Sequence, residues 1–294
     1  MKTKERLKGC IIGGAIGDAM GGFFENSDAI DWSLLEDRWQ LSDDTQMTLA
    51  TLESIIAQGG VGAQSIADHF VAWYNKGMIT GIGGSTLKAL QELQIGAHWA
   101  LAGRSGEYAA GNGAAMRIAP LAFYLDDEFD RLKVSEVARI THKNDEAYVG
   151  ALAIFLAVKA VSSGEENVLQ GLISQLINDL PDTRVRDRLI EIDSAGSGNS
   201  IGWVAKQFGT SGYVVESVPL SIYAAQHVQH VGFEQVMMEL IEAGGDTDSN
   251  CAMAGQMMGA YLGYENLPKH LITKVKMVKE YPILTHLINQ FGLN

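Results

Sequence analysis

Apolar residues recur at helical spacing along nearly the whole of this chain. Positions three and four apart share one face of an α-helix, because the helix turns every ~3.6 residues. That period predicts helices over residues 7–24, 45–58, 65–76, 134–142 and 146–161. It continues over residues 166–180, 200–208, 214–228, 233–243, 248–262 and 267–279. The 146–161 stretch is apolar nearly all round, which predicts a helix buried on every side. Strict alternation bounded by turn residues, the mark of strands, is nearly absent. The pattern implies an all-α fold: a compact single-domain helical bundle over residues 1–294, without internal repeat, linker or low-complexity segment.

Two details refine this. Gly9, Gly13, Gly17 and Gly21 recur every four residues and make a bare stripe on one helix face, where another backbone can approach closely. The segment 103–113 carries Gly103, Gly106, Gly111 and Gly113 and runs into a helical pattern over 114–124, while 193–200 reads as a flexible, solvent-facing connection. Gly111-Asn112-Gly113 offers backbone N–H groups at a helix start, a feature that serves either as an anion site or as a purely structural turn.

Composition narrows the classes. Apolar residues at 47% and charged residues at 19% describe a globular chain. A net charge of -13 with no basic stripe excludes nonspecific nucleic-acid binding, which needs cations to neutralise phosphates. Cys10 and Cys251 both lie in apolar helical patterns, so reduced buried thiols and a reducing, cytoplasmic compartment are expected. The basic start (Lys2, Lys4, Arg6, Lys8) precedes a run broken by glycines and Asp18, unlike a secretory signal. No stretch approaches the ~18 uncharged apolar residues of a membrane span, so no membrane partner is expected.

Two acidic clusters about 200 residues apart hold the chemistry: Ser42-Asp43-Asp44-Thr45 and Gly244-Gly245-Asp246-Thr247-Asp248-Ser249. Each opens a helical pattern, with no Lys or Arg beside it. Helix capping accounts for one acidic residue per start. It does not account for two hydroxyl-flanked pairs. Oxygen-only ligands suit Mg2+ or Mn2+, and four converging carboxylates require a shared positive charge that a binuclear metal centre supplies. Asp18, Gly21 and Glu25 share a helix face. Asp18 interrupts an uncharged stretch and is expected to be buried, holding neighbouring backbone amides. Glu25 is either a solvated helix end or a base at the mouth of a site.

The ordered motifs are residues 13–22 (GGAIGDAMGG) with Glu25, Ser42-Asp43-Asp44-Thr45, residues 111–120 (GNGAAMRIAP), Thr141-His142, Gly212-Tyr213, and residues 245–263 (GDTDSNCAMAGQMMGAYLG). Together they closely resemble the ADP-ribosylglycohydrolase family, over residues 7 to 265. The resemblance implies an all-α fold with two Mg2+ (or Mn2+) ions in a central cleft. It implies metal ligands at Ser42, Asp43, Asp44, Asp246, Asp248 and Ser249, and catalytic carboxylates at Glu25, Asp44 and Asp248. Gly111, Asn112 and Gly113 match the loop that holds the diphosphate, and His142 and Tyr213 match positions lining the nucleotide part of the cleft. The implied activity is hydrolysis of the glycosidic bond between ADP-ribose and a protein side chain, arginine foremost, with the ADP-ribosylated protein and ADP-ribose as partners. Serine replaces a frequent threonine at 42 and 249, and Asn144 stands where some relatives carry a second histidine.

Three rivals are set against this. An isoprenoid synthase keeps its acidic residues four apart within helices, whereas position 47 is Met. A non-catalytic ADP-ribose- or partner-binding relative would not need all six ligand positions and Glu25. A hydrolase of another ADP-ribose derivative stays open. His227 and His230 form an HxxH pair without further soft-metal ligands, expected on an exposed polar face. Met237, Met238, Met253, Met257 and Met258 are expected as core filling.

Overall fold

The computed structural model describes residues 2–25, 27, 30–36, 39–125, 130–165 and 167–292. Its centre is a pair of helices from opposite ends of the chain, α1 (Lys2–Phe24) and, twelve helices later, Thr247–Leu262. They run antiparallel, and the glycine stripe of α1 is their contact line. A Cβ built on Gly9, Gly13, Gly17 or Gly21 would overlap the carbonyl oxygen of Gly259, Gly255, Cys251 or Thr247 respectively. The stripe therefore does what its spacing predicts, and brings two backbones into direct contact.

Around this pair α2 (Asp43–Gln58), α3 (Ala63–Asn75) and α4 (Gly84–Gln94) form one side. The helix α2 ends at Gly59, whose φ of 68° lets its N–H close onto the Ile55 and Ile56 carbonyls. The other side is built from α5 (Arg131–Arg139), α6 (Asp145–Ser162), α7 (Leu172–Asp179) and α8 (Arg184–Ala195). Next come α9 (Ile201–Phe208), α10 (Val214–Gln226), α11 (Val228–Val231) and α12 (Phe233–Ala243). The last are α13 (Thr247–Leu262), α14 (Lys269–Val275) and α15 (Tyr281–Gln290). One cluster of buried apolar side chains runs from Leu7 to Ile288. The all-α expectation holds, and α6 is the buried helix that its all-round apolar pattern predicts.

Several boundaries differ from the sequence pattern. The 134–142 helix stops at Arg139, because His142–Lys143 (β2) pairs in parallel with Arg104–Ser105 (β1), and Arg104 N–H donates to the Thr141 carbonyl at 3.1 Å. The 114–124 stretch is not one α-helix but two short 3-10 turns, Asn112–Ala114 and Ala119–Phe123. Pro120, with no N–H to donate, opens the second. The 193–200 segment is not loose throughout: α8 extends to Ala195, and Ser200 caps α9 by accepting from Trp203 N–H. For the 166–180 helix, Glu166 lies outside the described residues and α7 begins at Leu172. The 267–279 pattern shortens to α14. The helices α4, α8 and α15 lie outside the segments that the periodicity predicts.

Candidate metal-binding active site

The carboxylates gather in a cleft of about 760 Å3, lined by the end of α1, the starts of α2, α4 and α13, and the Gly111–Gly113 loop with His142. Among the described residues, no Lys or Arg lines it.

At the first cluster the capping work is already done by other groups. Ser42 is the N-cap of α2, and its hydroxyl accepts from Asp44 N–H at 3.2 Å. Asp18, buried on α1, accepts from Ser42 N–H and Thr45 N–H, each at 3.1 Å. It is therefore the amide-holding carboxylate expected of it. Burial pushes its carboxyl up to about 6, against the lowering effect of hydrogen bonds from Thr45 and Ser42. Asp43 and Asp44 are left over from capping, 6% and 1% exposed.

The second cluster repeats the logic. Asp246 occupies the N-cap position of α13 but makes no capping bond. Its Oδ2 accepts from Asn112 Nδ2 at 2.6 Å instead. Its backbone is aimed by Gly245, whose φ of 81° and contact with Thr210 leave no room for a side chain. Asp248 Oδ1 accepts from Ser249 N–H at 2.8 Å.

Asp44 joins the two clusters. Its Oδ2 accepts from Ser42 Oγ at 3.0 Å and from Ser249 Oγ at 3.2 Å, across 205 residues of chain. Its Oδ1 is buried and has no hydrogen-bond partner. Among the described residues, oxygens of Glu25, Asp246 and Asp248 lie within 4.8 Å of one another. This crowding shows in their acidities. Asp43 is pushed up to about 8 by burial and then by the Asp18 charge. Asp248 rises to about 9 by burial and then by the Asp246 charge. Asp44 is raised well above the carboxylate range by burial, then by Asp248. An orphaned buried oxygen and an all-oxygen donor set fit a hard divalent ion. Glu25 falls within ligand distance of Asp246 and Asp248, a placement that sequence spacing did not reveal.

The substrate-side positions separate. Gly111 and Gly113 lie against His142: a Cβ at 113 would stand 2.8 Å from His142 Cε1, and one at 111 would stand 3.2 Å from Nε2. His142 is buried, shares a 2.7 Å hydrogen bond with Thr141 Oγ1, and is pushed down to about 3 by burial, then by the Arg117 and Arg104 charges. The imidazole is neutral. Asn112 spends its side-chain amide on Asp246, so it connects the loop to the carboxylates. Tyr213 is not among the cleft-lining residues. It bridges to Gly111 through the backbone, and its side chain pairs with Arg184. Thr80, Gly81, Gly83, Gly84, Ser85 and Thr86 also line the cleft. No sequence motif had marked them, and the Gly83-Gly84 pair was the available signal.

Outside the cleft, His230 is exposed as expected, but His227 is half-buried with its Nδ1 3.0 Å from the Tyr223 carbonyl, and among the described residues neither belongs to a group that could hold a metal ion. Met237, Met253, Met257 and Met258 are core, while Met238 is half-buried. Cys10 and Cys251 are buried free thiols. Among the described residues, no helix is long and apolar enough to cross a membrane.

The model of the ADP-ribosylglycohydrolase family matches residues 1–292. The chain is 25% identical over 341 residues to ADP-ribosylhydrolase ARH3 of Homo sapiens, covering 98% of this chain and 94% of that protein. It is 28% identical over 293 residues to the ADP-ribosylarginine hydrolase Tri1 of Pseudomonas putida, covering 92% and 74%. A solved structure of an ADP-ribosylglycohydrolase-related protein complex shares the fold with a TM-score of 0.75 and 23% identity, over 98% of this chain and 97% of that one.

Proposed function

We propose a function from one premise: the chain belongs to the ADP-ribosylglycohydrolase family. It is accordingly an enzyme, a hydrolase of ADP-ribose linkages. The finer reading is that it releases ADP-ribose from arginine side chains of modified proteins. Two Mg2+ (or Mn2+) ions serve the reaction, held by Ser42, Asp43, Asp44, Asp246, Asp248 and Ser249.

The observation that carries this is Asp44, hydrogen-bonded to hydroxyls of both clusters while its second oxygen is buried without a partner. The choice of arginine is supported by charge. A guanidinium leaving group is cationic, and Glu25, outside the proposed ligand set and exposed at the cleft, offers it a carboxylate. Bound divalent ions would supply electrostatic stabilisation and a water of lowered pKa. The chain's own residues do the rest. Glycosidic cleavage needs a proton moved at the leaving nitrogen or at the attacking water. Glu25, exposed at the cleft, is placed to move it. The Gly111–Gly113 backbone receives the diphosphate, and the neutral His142 supports that loop without adding charge.

The test is hydrolysis of arginine- and serine-linked ADP-ribose substrates, each with Mg2+ and with chelator. Release from the arginine linkage, lost with chelator, supports the reading. Preference for the serine linkage, or full activity without divalent ions, would refute its finer part.

A further inference from the structure

Arg117 has the largest fully buried side chain among the described residues. It follows Gly113 by four residues and folds back beneath the loop, where Nη1 donates to the Gly113 carbonyl. Nη2 donates to Thr141 Oγ1 at 2.8 Å and to the Val137 carbonyl at 3.4 Å. The same Thr141 hydroxyl holds His142 Nδ1 at 2.7 Å. The guanidinium lies 5.1 Å from the centroid of the Phe70 ring. Burial pulls its acidity constant down to about 9, with the Asp43 charge opposing.

Burying a cation carries a large desolvation cost, and an apolar side chain of similar volume would fill the space without it. The charge is kept at a point where two parts of the cleft meet. The loop has glycines at 111 and 113, so no side chain at those positions anchors it. His142 lies in contact with both glycines, so a displaced ring displaces the loop. A planar guanidinium can hold a carbonyl on one side and a hydroxyl on the other in fixed geometry, which a single ammonium cannot.

We infer that Arg117 is a positioning residue, whose forked guanidinium locks the Gly111–Gly113 loop and the His142 ring into one ADP-ribose-binding face. The inference rests on the reading that this face receives ADP-ribose. It places Arg117 in binding and not in the chemical step.

The test compares wild type, Arg117→Gln and Arg117→Lys in calorimetric titrations of ADP-ribose and of Mn2+, in KM and kcat, and in the imidazole 15N spectrum of His142. For both variants the expected results are a rise of about tenfold or more in ADP-ribose Kd and in KM, the equivalent of one lost hydrogen bond. The kcat should stay within about threefold, Mn2+ affinity should not fall, since losing the charge that acts on Asp43 favours a bound cation, and the His142 ring signals should shift. An ADP-ribose Kd within about twofold of wild type in Arg117→Gln, or full restoration by Arg117→Lys, would overturn it. If Arg117→Gln does not fold, Thr141→Val decides by the same Kd criterion, since it removes the hydroxyl between Arg117 and His142. If wild type itself binds no ADP-ribose, the cleft reading fails. In that event shifted His142 signals in Arg117→Lys still uphold the positioning, and unshifted ones overturn it.

Discussion

Replacing Asp43 by asparagine should stabilise the metal-free protein and weaken its response to metal. Asp43 is 6% exposed, and its carboxyl is pushed up to about 8, first by burial and then by the Asp18 charge. At pH 7 the unfolded chain leaves it ionised and the folded chain holds it protonated. Taking up that proton costs about 4 kcal/mol, at roughly 1.4 kcal/mol per pH unit above the ordinary carboxylate value. Asparagine has nearly the same shape and no proton to take up. Because Asp18 titrates together with Asp43, part of the cost is relieved in the wild type. The expected gain is therefore about 1–3 kcal/mol, or roughly 2–8 °C in Tm. Magnesium should reverse the order. A ligand at ~100 times its Kd stabilises the folded state by about 2.7 kcal/mol, and a variant lacking one ligand loses much of that. Differential scanning calorimetry at pH 7, in chelator and in excess Mg2+, reads both effects. If Asp43→Asn melts below wild type in chelator, or gains as much from Mg2+ as wild type does, the electrostatic account of the cluster is wrong.

Other outcomes follow from the same geometry. In chelator, wild-type stability should be greatest near pH 4 and fall as pH rises through about 6, 8 and 9. Asp18, Asp43 and Asp248 all carry raised folded-state values, so the folded state binds the extra protons. A Tm that is flat or rising between pH 5 and pH 9 would contradict this. Glu25→Gln should bind ADP-ribose as wild type does and lose on the order of 100- to 10,000-fold in single-turnover rate if it moves the proton. An unchanged rate removes it from the mechanism. Gly17→Ala should destabilise by several kcal/mol, because its Cβ would overlap a backbone carbonyl that cannot swing aside. Chemical denaturation checks this, and a change below about 1 kcal/mol would mean that the two helices separate easily.

How much of this was legible depended on whether a feature is local in sequence. The α1 stripe was legible because its four-residue period is written in consecutive turns, and it predicted backbone contact without naming the partner. The acidic clusters were legible because each gathers its carboxylates within a few residues. The bond from Asn112 to Asp246 was not, since 134 residues separate them and nothing at either position encodes the other. Arg117 stands within the 111–120 motif, but a cation among apolar residues gives no sign of which carbonyl it will meet. The strand pair of Arg104–Ser105 and His142–Lys143 was too short to show alternation. The helix α15 was hidden by Pro282 at its start, which reads as a break although Pro fits the first helical turn.

The contact between α1 and α13 also sets an order of events. Asp246, Asp248 and Ser249 reach Asp44 and Glu25 only when α13 has docked on the glycine face of α1, and more than 220 residues lie between those helices. Contacts that close so long a span form late, after the chain has paid its loop-closure entropy. On the ribosome, the first cluster must wait as a crowded, incomplete half-site until the last third of the chain has emerged. Divalent ions should therefore bind at the end of folding, acting as a latch and not as a nucleus. During refolding, a Mn2+ signal should rise with the final phase, and a Mn2+ signal in the earliest phase would place the latch elsewhere.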